Sequence, residues 1–158
     1  MPSVAIEAVI LAPLLVVQIL LFPFVATTMS SYWENATRDV TLQETASQMG
    51  STIQQLYLSL SRAEVSVGTA TQASAFPAEI DGHSYNATGS LRSSLEPNSG
   101  KILLLNLMLE DFGNTATTQT SLGSNVSWNE NSVYRSSSPN ASIKVQKFTN
   151  GTLLFSFG

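Results

Sequence analysis

From Ala8 to Trp33 the chain carries no charged side chain, and between Ala8 and Ala26 the one strongly polar residue is Gln18. About 20 helical residues rising about 1.5 Å each cross a hydrocarbon core of about 30 Å, so this stretch is long enough to span a bilayer. It is apolar on every side, and a domain of this size cannot enclose such a rod. Its cover must come from lipid or from other chains. Pro13 and Pro23 each remove a helical N–H and crowd the turn before, which predicts one bent helix kinked at one or both positions, rather than two helices. After the polar patch from Thr27 to Asn35, a new period begins. Leu42, Ala46, Met49, Ile53, Leu56 and Leu60 fall at spacings of four and three, an apolar stripe on a helix running to about Glu64. Gln43, Glu44, Gln48, Gln54, Gln55 and Arg62 take the other face. The stripe is expected to pack against the underside of the chain's own β-domain; the alternative is that part of it, with Tyr57, contacts other subunits. Gly50 offers a point of close approach.

Beyond residue 65 the helical period gives way to alternation with turn residues between, and about seven short strands fit. They are Val65 to Thr71, Ala78 to Ile80 joined through Asp81-Gly82 to His83 to Ala87, Lys101 to Leu109, Thr115 to Leu122, Ser132 to Ser137, Ile143 to Phe148 and Thr152 to Phe157. Asn150-Gly151 marks the last pair as a hairpin, because it suits a tight turn with positive φ. In Lys101 to Leu109, Leu103, Leu105, Leu107 and Leu109 share one face while Ile102, Leu104 and Met108 load the other. That strand is expected to be covered on both sides, by the core and by either the helix or a neighbouring subunit. The fold class is therefore α+β: a long kinked N-terminal helix, then an antiparallel, Ig-like β-sandwich. The domains are 1–64, apolar to 33 and amphipathic over 34–64, and a surface-exposed 65–158.

At 158 residues the chain has room for this one domain plus the helix. Charged residues are only 11% of it while Ser and Thr abound, a surface wetted by hydroxyls and amides that suits an exterior protein. The net charge of −4, with no cluster of Lys or Arg, argues against nucleic acid as a partner. The absence of cysteine excludes a disulfide framework, a thiolate metal site and a Cys nucleophile.

A leader or signal anchor normally places Lys or Arg ahead of its apolar stretch, yet the first basic residue is Arg38. The expectation is cleavage ahead of the helix, the mature start lying at or near residue 1. Ser3-Val-Ala-Ile-Glu7 followed by Ala-Val-Ile-Leu-Ala-Pro-Leu-Leu-Val-Val resembles the mature N-terminus of type IV pilin-like proteins, and is also similar to that of the tight-adherence pseudopilins. Bacterial pilins carry glutamate at the fifth mature position, which counting from Ser3 gives to Glu7; counting from Met1 does not. Phe76-Pro77-Ala78-Glu79-Ile80-Asp81-Gly82-His83-Ser84-Tyr85 resembles the segment that opens the β-sandwich of archaeal pilins and archaellins. The resemblance implies a filament that polymerises by burying its helix, here through Glu7, Ile10, Leu14, Val17, Leu21 and Phe24, and that serves surface adhesion.

An ionised carboxylate in apolar surroundings costs several kcal/mol unless it protonates or meets a cation. In the pilin reading Glu7 meets a free N-terminal ammonium, its own or a neighbour's, which also sets subunit register. Otherwise it lies at the wet end of a membrane helix.

Five Asn-x-Ser/Thr sequons occur, at Asn35, Asn86, Asn125, Asn140 and Asn150. With hydroxyl residues making up about a quarter of the chain, roughly two or three would arise by chance, so the excess points to N-linked glycans on an extracellular face. A modified Asn35 would limit any buried segment to roughly the first thirty residues. Catalytic and metal-binding constellations are not legible. His83 is the one histidine and reads as exposed beside a turn. Glu110-Asp111 reads as a solvated loop pair, and no phosphate loop or nucleophile elbow occurs. No enzyme, cofactor or small-molecule substrate is expected. The partner is the chain itself in many copies, after passage through the cytoplasmic membrane to a cell-surface filament. Two readings compete with a major pilin. One is a membrane-anchored binding glycoprotein, against which the missing basic flank speaks; the other is an archaellin or minor subunit.

Overall fold

The computed structural model describes residues 3–62, 64–93 and 100–158, with the backbone alone over 3–12. The chain forms two compact units, Met1–Thr37 and Arg38–Gly158. One helix, α1 (Ser3–Leu60), passes from the first into the second and is unbroken at Pro13 and Pro23.

In the second unit the stripe read from the sequence is buried as expected: Leu42, Ala46, Met49 and Ile53 are each 0% exposed, with Leu56, Tyr57 and Leu60 packed at the margin. Each large side chain so buried stabilises the fold by about 1.5–3 kcal/mol. Tyr57 also faces its own domain, its hydroxyl 3.5 Å from Asn125 Oδ1. The helix stops at Leu60, short of the expected Glu64, because a buried lysine closes it. Lys147 Nζ donates to Leu60 O at 2.9 Å and to Arg62 O at 2.7 Å, satisfying carbonyls that have no intrahelical partner.

Eight strands follow: β1 (Gly68–Ala73), β2 (Tyr85–Ser93), β3 (Lys101–Leu109), β4 (Thr115–Leu122), β5 (Val126–Trp128), β6 (Val133–Arg135), β7 (Ser142–Lys147) and β8 (Leu153–Phe157). They form two four-stranded sheets, β1-β7-β8-β5 and β4-β3-β2-β6. The α+β class stands, and every ladder is antiparallel except β5 with β8, which is parallel. The core between them is the set of inward residues: Leu103, Leu105, Leu107 and Leu109 of β3 meet Val145, Leu153 and Phe155 from the other sheet and the buried stripe of α1. Trp128, Phe155, Phe157 and Tyr134 stack within it in edge and parallel contacts.

Of three local expectations, the first and last change and the second holds. The Asp81-Gly82 turn is real, with positive φ at both residues (52° and 75°), but only Ile80 and His83 pair across it, and the strand proper begins at Tyr85. The β7–β8 hairpin is present with positive φ on Gly151 alone (79°), while Phe148 O accepts from Gly151 N–H at 3.0 Å. And β3 is not covered on both faces. Helix and facing sheet both lie on its leucine side, leaving Ile102 37% and Met108 44% exposed on the other.

Candidate functional site

The first unit presents its apolar side chains to the outside. Over 13–33 every residue is exposed, among them Leu14, Val17, Leu21 and Phe24, and an 18-residue window of the helix has mean hydropathy 1.9 with none of it buried. By length and composition the helix could cross a membrane. The side chains of Glu7 and Ile10 lie outside the described residues. Polar side chains near the top of this rod are neutralised locally. Thr27 Oγ1 donates to Pro23 O and Phe24 O, and Thr28 Oγ1 donates to Phe24 O and Val25 O, each at 2.9–3.0 Å. A hydroxyl turned back on its own helix shows its methyl outward, so Thr27 and Thr28 extend the apolar surface rather than interrupt it. Phe22 (78% exposed), Tyr32 (77%) and Trp33 (69%) are the largest groups left bare.

The sequons differ in what holds them. Asn140 sits in an exposed turn, and Asn150 is exposed in the β7–β8 turn, held through Oδ1, which accepts the Thr152 N–H at 3.0 Å. Asn125 is exposed just before β5, but its Nδ2 donates to Gly151 O at 2.8 Å. Asn86 lies within β2, flanked by β3 and β6, with Nδ2 on Glu110 Oε1 at 2.8 Å and Oδ1 buried with no partner among the described residues. Asn35 is exposed in mid-helix rather than in a loop.

One cluster was not anticipated. Arg38 Nε meets Asp81 Oδ2 at 2.6 Å, and its guanidinium stands 4.1 Å above the Phe112 ring. Phe112 also takes the edge of His83, whose Nδ1 is 2.7 Å from Asp111 Oδ2. Glu110 accepts from Ser84 and Asn86. Glu110 and Asp111 are exposed, as read from the sequence, and His83 is half-buried, yet all three are engaged: together they pin the Asp81 turn and the β3–β4 loop to the start of the helix's second half. Among the described residues no group of three or more His, Cys, Asp or Glu is placed to hold a metal ion. Tyr85 is buried, donates to Pro77 O at 2.9 Å and stacks on Tyr134; burial, reinforced by Tyr134, pushes its hydroxyl pKa well above the ordinary tyrosine value.

Comparison with family models, with curated proteins and with solved structures gives no match.

Proposed function

We propose that the chain is a pilin, the structural subunit of an archaeal type IV pilus-like filament, which polymerises by bundling its apolar helix with those of other copies and serves adhesion at the cell surface. The observation that carries this reading is the bare rod over 13–33, which nothing in its own unit shields from water. Ten large apolar side chains between Leu14 and Val25 stand about half exposed or more. Covering what remains bare is worth on the order of 10 kcal/mol per copy, enough to offset the freedom lost on association. Before assembly the same rod resides in the cytoplasmic membrane, and N-linked glycans are carried on the water-facing unit. The chain acts without a cofactor and is not an enzyme.

The test is negative-stain microscopy of material sheared from producing cells, with identification of the dominant polypeptide. Filaments built from this chain support the reading. A chain found only in the membrane fraction, released by detergent as a dispersed monomer, defeats it and leaves a membrane-anchored surface glycoprotein, since the same helix length fits a bilayer.

A further inference from the structure

The β4-β3-β2-β6 sheet has one buried face and one bare face. Strand register puts Ile102, Leu104, Asn106 and Met108 of β3 on the bare face, with Asn86, Thr88 and Ser90 of β2 between them and Val133 of β6. Arg92 and Arg135 share that face, both exposed. Its nearest acid, Glu110, is engaged by Ser84 and Asn86, and Glu130 sits in the turn ahead of β6, outside the strand register. The face thus carries aliphatic side chains at Ile102, Leu104, Met108 and Val133 with hydroxyls and amides between them, and its charges are basic. In a chain of net charge −4 that is a local reversal of sign.

The complementary surface lies at the sheet's other edge. A shallow groove of about 710 Å³ runs beside Thr115, the first residue of β4, and is lined by Asp39, Val40, Gln43, Glu44 and Ser47 of α1. Val40 is 67% exposed, and the lining contains two carboxylates and no base. Asp39 accepts from the neutral Asn114 amide, at 2.7 Å, and Arg38 pairs with Asp81. Since β4 and β6 are the opposite edges of one sheet, an aliphatic–acidic groove stands at one end and an aliphatic–basic strand at the other.

We infer that the bare sheet face of one copy docks on the helix groove of the next, Val133 and Met108 against Val40, and Arg135 against Glu44. This inference rests on the filament reading. Two different patches on the same chain make a head-to-tail contact, which is left unsatisfied at each end and so propagates. Four strands about 4.8 Å apart and three to nine residues long present on the order of 400 Å² per partner, about half of what a stable free complex buries. Such a contact is too small to hold copies together alone. It forms where the bundled helices already hold the copies close, and its share is then to fix lateral register. A glycan on Asn86 would stand between Met108 and Arg135, in the way of the docking copy, so that sequon stays unmodified; its amide is already committed to Glu110.

The chain has no cysteine, so a pair can be introduced cleanly. Filaments from cells producing Val40→Cys with Val133→Cys are oxidised mildly and run without reductant. A ladder of dimer, trimer and higher rungs is expected, and each single variant should give no ladder. A second arm uses charge. Arg135→Glu should lower the yield of sheared filaments about tenfold, and Glu44→Arg in the same chain should restore it. Filaments that give only monomer, or only dimer, overturn the inference while leaving the filament reading intact. If the double-cysteine chain does not assemble, the charge pair decides: no rescue by Glu44→Arg overturns the inference. If the unaltered chain makes no filaments, the reading beneath it fails and this falls with it.

Discussion

Gly50 of α1 lies flush against Thr120 of β4: a Cβ on the glycine would stand 2.6 Å from Thr120 Oγ1 and 3.3 Å from Thr118 Cγ2. Thr120 is nearly fully buried, and a β-branched side chain in a sheet has little freedom to give way. Two effects therefore oppose one another on Gly50→Ala. The helix gains up to about 1 kcal/mol from replacing glycine, while forcing a methyl into a packed contact costs about 1–3 kcal/mol. Net destabilisation is expected in urea titration of the detergent-solubilised chain. Combining it with Thr120→Ala should return part of the loss, and stabilisation by Gly50→Ala alone would refute the close contact.

The Arg38 cluster makes a prediction about kind as well as size. Arg38 is 11% exposed in its side chain while Asp81 is 52% and Phe112 48% exposed, so the ion pair and the stack each have one partner about half in water. Arg38→Ala should cost about 1–2 kcal/mol and Asp81→Asn about 0.5 kcal/mol, the latter keeping a residue that tolerates positive φ. Arg38→Lys, which retains charge but not the planar stack, should fall nearer to alanine than to wild type. Denaturation at low and high salt separates the two contributions: the Asp81→Asn difference should shrink with salt, and the Phe112→Ala difference should not.

Tyr85 sets an alkaline limit. Its folded pKa is raised above the unfolded value by burial first and by Tyr134 second, so folding favours the protonated hydroxyl. The stabilisation is complete below the unfolded pKa of about 10 and is lost as pH climbs from there toward the folded value, at about 1.4 kcal/mol per pH unit. Chemical denaturation between pH 9 and 12 should show this fall in the wild-type chain and a shallower one in Tyr85→Phe. The variant should lose roughly 1 kcal/mol at neutral pH with the Pro77 hydrogen bond. Parallel slopes in the two chains would assign the alkaline loss to other groups.

The apolar rod should tolerate volume changes but not charge. Val17 is 51% exposed in the isolated unit and lies in the middle of the uncharged stretch. Val17→Lys places a cation where lipid or neighbouring helices must cover it, at a cost of about 2.5–3.5 kcal/mol in a membrane. Val17→Leu adds only a methylene. Cells producing the lysine variant should yield few sheared filaments and the leucine variant near-normal amounts; equal yields would show that this part of the helix stays in water.

What could be read from the residues follows how local each signal is. Strands β3 and β4 have the bounds their alternation predicts, and the stripe from Leu42 to Ile53 is buried, because in each case the pattern repeats over several residues. Strand β5 has three residues and a parallel partner in β8, information that resides wholly in tertiary pairing. The continuation of β2 past Ala87 runs through Gly89, which alone reads as a turn residue; folded, it makes room for the Trp128 indole, which an added Cβ would penetrate. In the candidate site the apolar rod is legible from the missing charges. The Arg38 cluster is not, since Arg38 and Asp81 lie 43 residues apart and no local pattern links them.

Sequon occupancy is the prediction in which these local details decide an outcome along the whole chain. A glycan needs an Asn whose Nδ2 faces water in a segment that can leave its hydrogen bonds. Asn140 and Asn150 meet that condition in exposed turns, the latter anchored, among the described residues, through Oδ1. Asn125 would give up its bond to Gly151 O, and Asn86 would give up Glu110 from within a strand paired on both sides. Site-resolved mass spectrometry of filaments from the native host should find Asn140 and Asn150 most occupied, Asn125 less, and Asn86 bare. Treatment that unfolds the chain before exposure to the glycosylation machinery should raise Asn86 toward the others, because folding is what shields it. A glycan on Asn86 of assembled filaments would show that modification precedes folding of β2, and would remove the bare sheet face as a contact between copies.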